Sequence, residues 1–204
     1  MGIIMKQTIT GLFDSYDAAR SAVEQLEAEG VPHSDISLVA NHGEGAADDR
    51  VRESDTGEDA AKGAGIGAVI GGAGGLLAGL GMLAIPGIGP VVAAGWLAST
   101  AAGALTGGAV GGAAGGLIGA LTDSGVPENE ANVYAEGVRR GGTLVSARVN
   151  DEQASATRAI LQRNNVVDPV QRGETYRKAG WSRFDPEASP YTPAEIERER
   201  ASYR

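Results

Sequence analysis

The sequence predicts an α+β fold: a ferredoxin-like βαβ/βαβ sandwich with an inserted Gly/Ala-rich helical hairpin. Three observations lead there. Strand-like and helix-like segments alternate over residues 7–40, and they alternate again over residues 123–171. Between these halves, residues 63–122 carry no ionisable side chain and hold most of the chain's 32 glycines. Joined across the insert, the halves read as two β–α–β units with one extra helix. Two subunits sharing strands would produce the same pattern.

In the first half, residues 7–13 (QTITGLF) mix Thr with apolar residues and read as a strand. A helix follows, capped by Asp14 or Ser15, with Asp17 in its first turn and Gly30 after its end. Ala19, Ala22, Val23 and Leu26 fall on one helical face. The turn VPHSD leads to a second strand from Ile36 to Val39. Residues 41–62 are Gly, Asp, Glu and Ser with almost nothing apolar, and read as an acidic flexible linker. His42, Glu44, Asp48 and Asp49 are metal-ligand types there, but nothing local would hold them in place, so no metal is expected.

The second half, 123–171, opens with a helix that has Pro127 at its start, Glu128 and Glu130 near its positive end, and Arg139 and Arg140 near its negative end. Ala131, Tyr134, Ala135 and Val138 form its apolar face. TLVSARV alternates as a strand, with Val145, Ala147 and Val149 on one side. NDEQASATRAILQRNN reads as a helix and VVDPV as a short last strand. Residues 172–204 are polar with three prolines and are expected to be mostly disordered. Within them, TPAEIERER has a helix start, with Thr192 as cap and Glu195 three residues on. Trp181, Phe184 and Tyr191 are candidates for docking on a partner, but the favoured expectation is a tail that packs loosely on its own domain or on nothing.

The insert breaks at AIPGIGPVV into two arms, 63–85 and 91–122. As a helix, the first arm would span about 34 Å, close to the ~30 Å thickness of a hydrocarbon core. Gly63, Gly67, Gly71, Gly75 and Gly79 recur every four residues, as do Gly103, Gly107, Gly111, Gly115 and Gly119. Such tracks let helix backbones approach closely, the small-xxx-small pattern of packed membrane helices. Leu105, Leu117 and Leu121 lie opposite the second track, toward lipid or another apolar layer. Gly108, Gly112 and Gly116 widen the second track into a strip with a free edge, which suits contact with another copy of the chain. In water each interior Gly costs a helix about 0.5–1 kcal/mol relative to Ala, whereas a bilayer enforces the helix. The expectation is therefore a membrane hairpin, with membrane lipid and a homo-oligomer as partners. The alternative is a soluble ligand-sensing or scaffolding module whose hairpin drives homo-oligomerisation.

Charge and composition narrow the function. The net charge is −9 with no basic stripe, which disfavours nucleic acid. No cysteine is present, so thiol nucleophiles, disulfides and iron–sulfur clusters are excluded. The short apolar run before Lys6 does not fit a cleaved signal peptide, nor does Lys6 fit a myristoylation signal. Gly63, Gly65 and Ala68, like Gly79, Gly81 and Ala84, match a loose dinucleotide-binding pattern, but neither set has both the preceding strand and the later acidic residue. His33 and His42 fall in turn and linker sequence, and no nucleophile elbow occurs. No catalytic residue, cofactor or small-molecule ligand is expected.

TGLFDSYDAARSAVEQLEAEGVPHSDISLVAN, AIPGIGPVVAAGWL and GVPENEANVYAEGVRRGGTLVSARV together resemble the bacterial general stress protein 17M-like family, in its glycine-zipper-containing subgroup. The likeness covers residues 7 to about 170. It implies a stress-induced bacterial protein with no assigned enzymatic activity and carries over no catalytic residue; the expectation is a non-enzymatic protein. The expected location is the cytoplasmic membrane with both flanks on the cytoplasmic side, or alternatively the cytoplasm.

Overall fold

The computed structural model describes residues 6–41, 81–85, 87–100 and 114–203. The architecture is mixed α/β around an antiparallel sheet. Its strands are β1 (Gln7–Phe13), β2 (Ile36–Asn41), β3 (Gly81–Ile85), β4 (Gly89–Gly95) and β5 (Thr143–Val149), in the order β1-β5-β2-β4-β3. β5 lies between β1 and β2 and is antiparallel to both, with Gly11 opposite Val145 and Leu38 opposite Val145 on its other side. β1 and β2 therefore run parallel, one strand apart, joined by helix α1 (Tyr16–Ala28).

Local signals explain where the first elements begin and end. The Ser15 hydroxyl accepts a bond from the Ala18 N–H at 3.2 Å, so Ser15 is the cap of α1. Gly30, at φ +83°, turns the chain out of the helix. Helices α2 (Ala114–Asp123) and α3 (Glu128–Arg139) precede β5. Helix α4 (Asp151–Arg163) follows it, with the Asn150 side chain accepting from the Gln153 N–H at 2.9 Å.

Both faces of the sheet are covered. On one, Ile9, Phe13, Ile36, Leu38, Val145 and Val149 pack against Ala19, Val23 and Leu26 of α1 and against Ala154 and Ile160 of α4. On the other, Leu12, Val39, Val91 and Leu144 meet Leu117 and Leu121 of α2 and Tyr134 and Val138 of α3. Double coverage is why β2 is buried along its whole length and why Ser37 and Ser146 are inside. Each finds a partner: Ser37 donates to the Ala94 carbonyl at 2.8 Å, and Ser146 shares a 2.9 Å hydroxyl bond with Thr10.

Three expectations need correction. First, residues 81–85 and 89–95 are not helical arms: they pair antiparallel, Leu83 opposite Val91, and extend the sheet beyond β2. An apolar run without period fits either element, and here pairing with β2 decides it. Residues 96–100 are helical. Second, VVDPV supplies one bridge rather than a strand, Val167 N–H to the Leu12 carbonyl at 2.8 Å. Asp168 then caps helix α5 (Pro169–Lys178), because an Asp-Pro step starts a helix more readily than it continues a strand. Third, much of 172–204 is ordered: α5 is followed by helix α6 (Pro193–Ser202), and Tyr176, Phe184 and Ile196 are buried. The linker 42–62, the first glycine arm through residue 80, and residues 101–113 lie outside the described residues.

Candidate functional site

The densest polar constellation sits where the C-terminal segment crosses the end of α3. Helical spacing puts Glu136, Arg139 and Arg140 side by side, at i, i+3 and i+4. The Glu136 carboxylate is fully buried. Arg140 Nε donates to its Oε1 at 2.7 Å, and Arg139 donates to Oε2 at 3.3 Å. Arg140 also reaches across to Glu199 of α6 at 2.6 Å. Its guanidinium lies over the Tyr176 ring of α5 at 4.2 Å, and Arg139 lies over Tyr191 at 4.8 Å. Burial works against the charge on Arg140, but its bonds to Glu199 and Glu136 outweigh this and hold the guanidinium more firmly charged than usual.

A second clamp lies beside the first. Arg172 of α5 donates two bonds of 2.7 Å to the carboxylate of Asp14, the residue before the α1 cap. Its other side stacks on Tyr203 at 3.8 Å, and Tyr203 donates to Glu199. Burial, reinforced by that carboxylate, pushes the Tyr203 phenol above its usual range. Arg200 closes the cluster by donating to the Gly141 carbonyl at 2.6 Å. Gly141 itself has φ +93°, and a Cβ there would lie 2.2 Å from Ile196, so the α6 side chain fits only because that position is glycine.

These pairings make the cluster an internal clamp on the C-terminal segment, since each carboxylate at its centre faces an arginine. A smaller cluster at the other end of the sheet has the same character. Asp35 accepts from Lys6 at 2.6 Å and lies 3.5 Å from Arg148, which stacks over Trp96 at 4.8 Å. Among the described residues no group of three His, Cys, Asp or Glu side chains could hold a metal ion. His33 lies in the short 3-10 turn before β2, while His42, Glu44, Asp48 and Asp49 lie outside the described residues.

The same limit applies to most of the glycine positions. Gly63, Gly67, Gly71, Gly75, Gly79, Gly103, Gly107, Gly108, Gly111 and Gly112 lie outside the described residues. Gly115, Gly116 and Gly119 fall in α2. A Cβ built at Gly119 meets nothing within 4 Å. Leu117 and Leu121 do face an apolar layer, which is α3 and the sheet. No helix among the described residues is long and apolar enough to cross a membrane.

The tail aromatics, read from sequence as candidates for docking on a partner, pack on this chain itself, and the polar groups that receive them were not singled out. Phe184 is buried on the second face of the sheet, Tyr191 sits under Arg139, and Trp181 meets Tyr176 edge-on at 5.6 Å. The signal for the receiving side was present as E-x-x-R-R at the end of α3, which ordinarily marks a solvated helix end. No family model, no curated protein and no solved structure matches this chain.

Proposed function

We propose that this chain is a non-enzymatic scaffolding module that assembles with copies of itself through the uncharged glycine-rich segment. The carrying observation is β3. It is the outermost strand of the sheet among the described residues, and its sequence, GMLAI, has no charge and no proline. Native edge strands are normally protected by such residues, because an open row of N–H and C=O groups templates another strand. A second copy offering its own β3 would close the edge with two-fold symmetry. The opposite edge differs, since Val167 already occupies part of β1.

The fold supports the same reading at a finer level. The β1–α1–β2 crossover around β5, with α1 and α4 on one face and Val167 as the remnant of a fourth strand, is what a ferredoxin-like sandwich would have. In this reading β3–β4 extends that sandwich, and a role in the bacterial general stress response follows from the family resemblance.

Light scattering on the full chain across a concentration series tests the proposal. The expected result is reversible multimers that a charged residue on the edge, Leu83→Lys, dissociates. A monomer at every concentration refutes assembly. Recovery of the native protein in carbonate-washed membranes would put lipid in place of the second copy, as the membrane-hairpin reading requires.

A further inference from the structure

The C-terminal segment does more than rest on the domain. Its first part covers the turn between β3 and β4. A Cβ at Gly87 would lie 2.7 Å from the Asp185 carbonyl oxygen, 2.8 Å from Pro186 and 3.0 Å from the Phe184 ring. One at Gly89 would lie 2.9 Å from Pro190. Phe184 shares its apolar cluster with Ile85, just before that turn, and with Ile88 within it. Asn41 ties the same turn to the helix end beneath, donating to the Ile88 carbonyl at 3.5 Å and the Arg139 carbonyl at 3.1 Å.

The second part anchors the segment elsewhere, on the last turn of α3. The anchors are Glu199 on Arg140, Ser189 on Arg139 at 3.0 Å, Ile196 on Gly141, and Arg200 on the Gly141 carbonyl. No residue of 184–203 belongs to the apolar cluster between the sheet and helices α1 and α4, while Phe184 alone of them joins the cluster on the opposite face. The segment is attached at the end of α3, at the hairpin turn and, through Tyr203, on Arg172 of α5, by polar contacts and by two buried apolar side chains, Phe184 and Ile196. Glu199 keeps 21% of its side-chain exposure. Between α5 and Phe184 the chain passes Gly180, at φ +90° with nothing within 4 Å of its Cβ position, a place where it can pivot.

We propose that residues 184–203 are a releasable strap that holds the β3–β4 hairpin on the sheet, and that lifting it frees this uncharged hairpin for self-association. The strap thus regulates the assembly proposed above and rests on that reading for its consequence, though not for its mechanics. While seated, Phe184 and residues 185–190 block the hairpin turn from moving away from β2. Once lifted, β3–β4 is held by its pairing to β2 and by its packing under α2 and α3. Local opening of such a terminal pair of strands is easier than opening of the β1–β5–β2 centre.

Hydrogen exchange on the full-length protein tests the mechanics, with Phe184→Ser/Ile196→Ser as one variant and Glu199→Gln as a milder one. The strap predicts that amides of Val91–Ala94 exchange about a hundredfold faster in the double variant, with a smaller shift in the same direction for Glu199→Gln. Amides of β1 and β5 should keep their protection. Unchanged β4 exchange in both variants overturns the proposal. Loss of protection across the whole sheet in both variants also overturns it, because the segment would then be part of the core. Light scattering on the same samples reads the consequence separately. Faster β4 exchange with a larger multimer fraction supports strap and assembly together. Faster β4 exchange with a strictly monomeric chain supports the strap and refutes assembly.

Discussion

Replacing Glu136 by Gln probes whether the buried carboxylate organises the end of α3. The structure sets the size of the effect. Two guanidiniums converge on this fully buried group, Arg140 at 2.7 Å and Arg139 at 3.3 Å. Hydrogen bonds to charged groups contribute about 1.5–3 kcal/mol, and removing one partner of a buried pair costs about 3–5 kcal/mol. The full cost does not apply here. Arg140 keeps Glu199 at 2.6 Å, Arg139 keeps the Ser189 carbonyl at 3.0 Å, and the two arginines retain 12% and 14% exposure. Gln also preserves an acceptor for the shorter bond. The expected loss is about 2 kcal/mol for Gln and about 3 kcal/mol for Leu, which keeps neither acceptor. For a chain of this size, 2 kcal/mol lowers Tm by about 4–8 °C. Urea unfolding followed by circular dichroism measures it, with an unchanged m-value showing that the denatured state is the same. A Gln variant within about 0.5 kcal/mol of wild type, or a Leu variant more stable than wild type, would show that the carboxylate does not organise this site.

Two further outcomes follow from the packing. Val149, 1% exposed at the end of β5, should lose about 1–3 kcal/mol on truncation to Ala, read by the same urea titration, and a negligible loss would contradict its place in the core. Tyr134, Tyr176 and Tyr203 are all held above the ordinary phenol range, with burial the leading cause in each. Below about pH 10 folded and unfolded chains both keep these protons, and stability is unaffected; above it only the unfolded chain releases them, so stability falls as pH rises. Absorbance at 295 nm should therefore stop short of the full five-tyrosine amplitude until the protein unfolds. A single titration of all five tyrosines centred near pH 10, with the circular dichroism intact, would refute the burial.

The sequence by itself determined the elements whose signals are local. The cap, narrowed to Asp14 or Ser15, and the face formed by Ala19, Ala22, Val23 and Leu26 lie within a few turns of each other, and all four of those face residues are buried as their spacing predicts. Val145, Ala147 and Val149 alternate in β5 and share one face of the sheet for the same reason. Tertiary structure decided what depends on distant partners. GMLAI and GPVVAAG contain no period that separates strand from helix, and only the pairing of Val39 with Ala93 and of Val91 with Leu83 makes them strands. Glu136 and Arg140 carry the pattern of an exposed helix end, yet Glu136 is buried because a segment about fifty to sixty residues later in the chain crosses it and brings Glu199. That segment is too polar to predict its own order, since a short helix gains most of its stability from the surface it packs on. Here that surface is the end of α3 and the β3–β4 turn, where glycines at 87, 89 and 141 leave room for Phe184, Pro190 and Ile196 to approach the backbone.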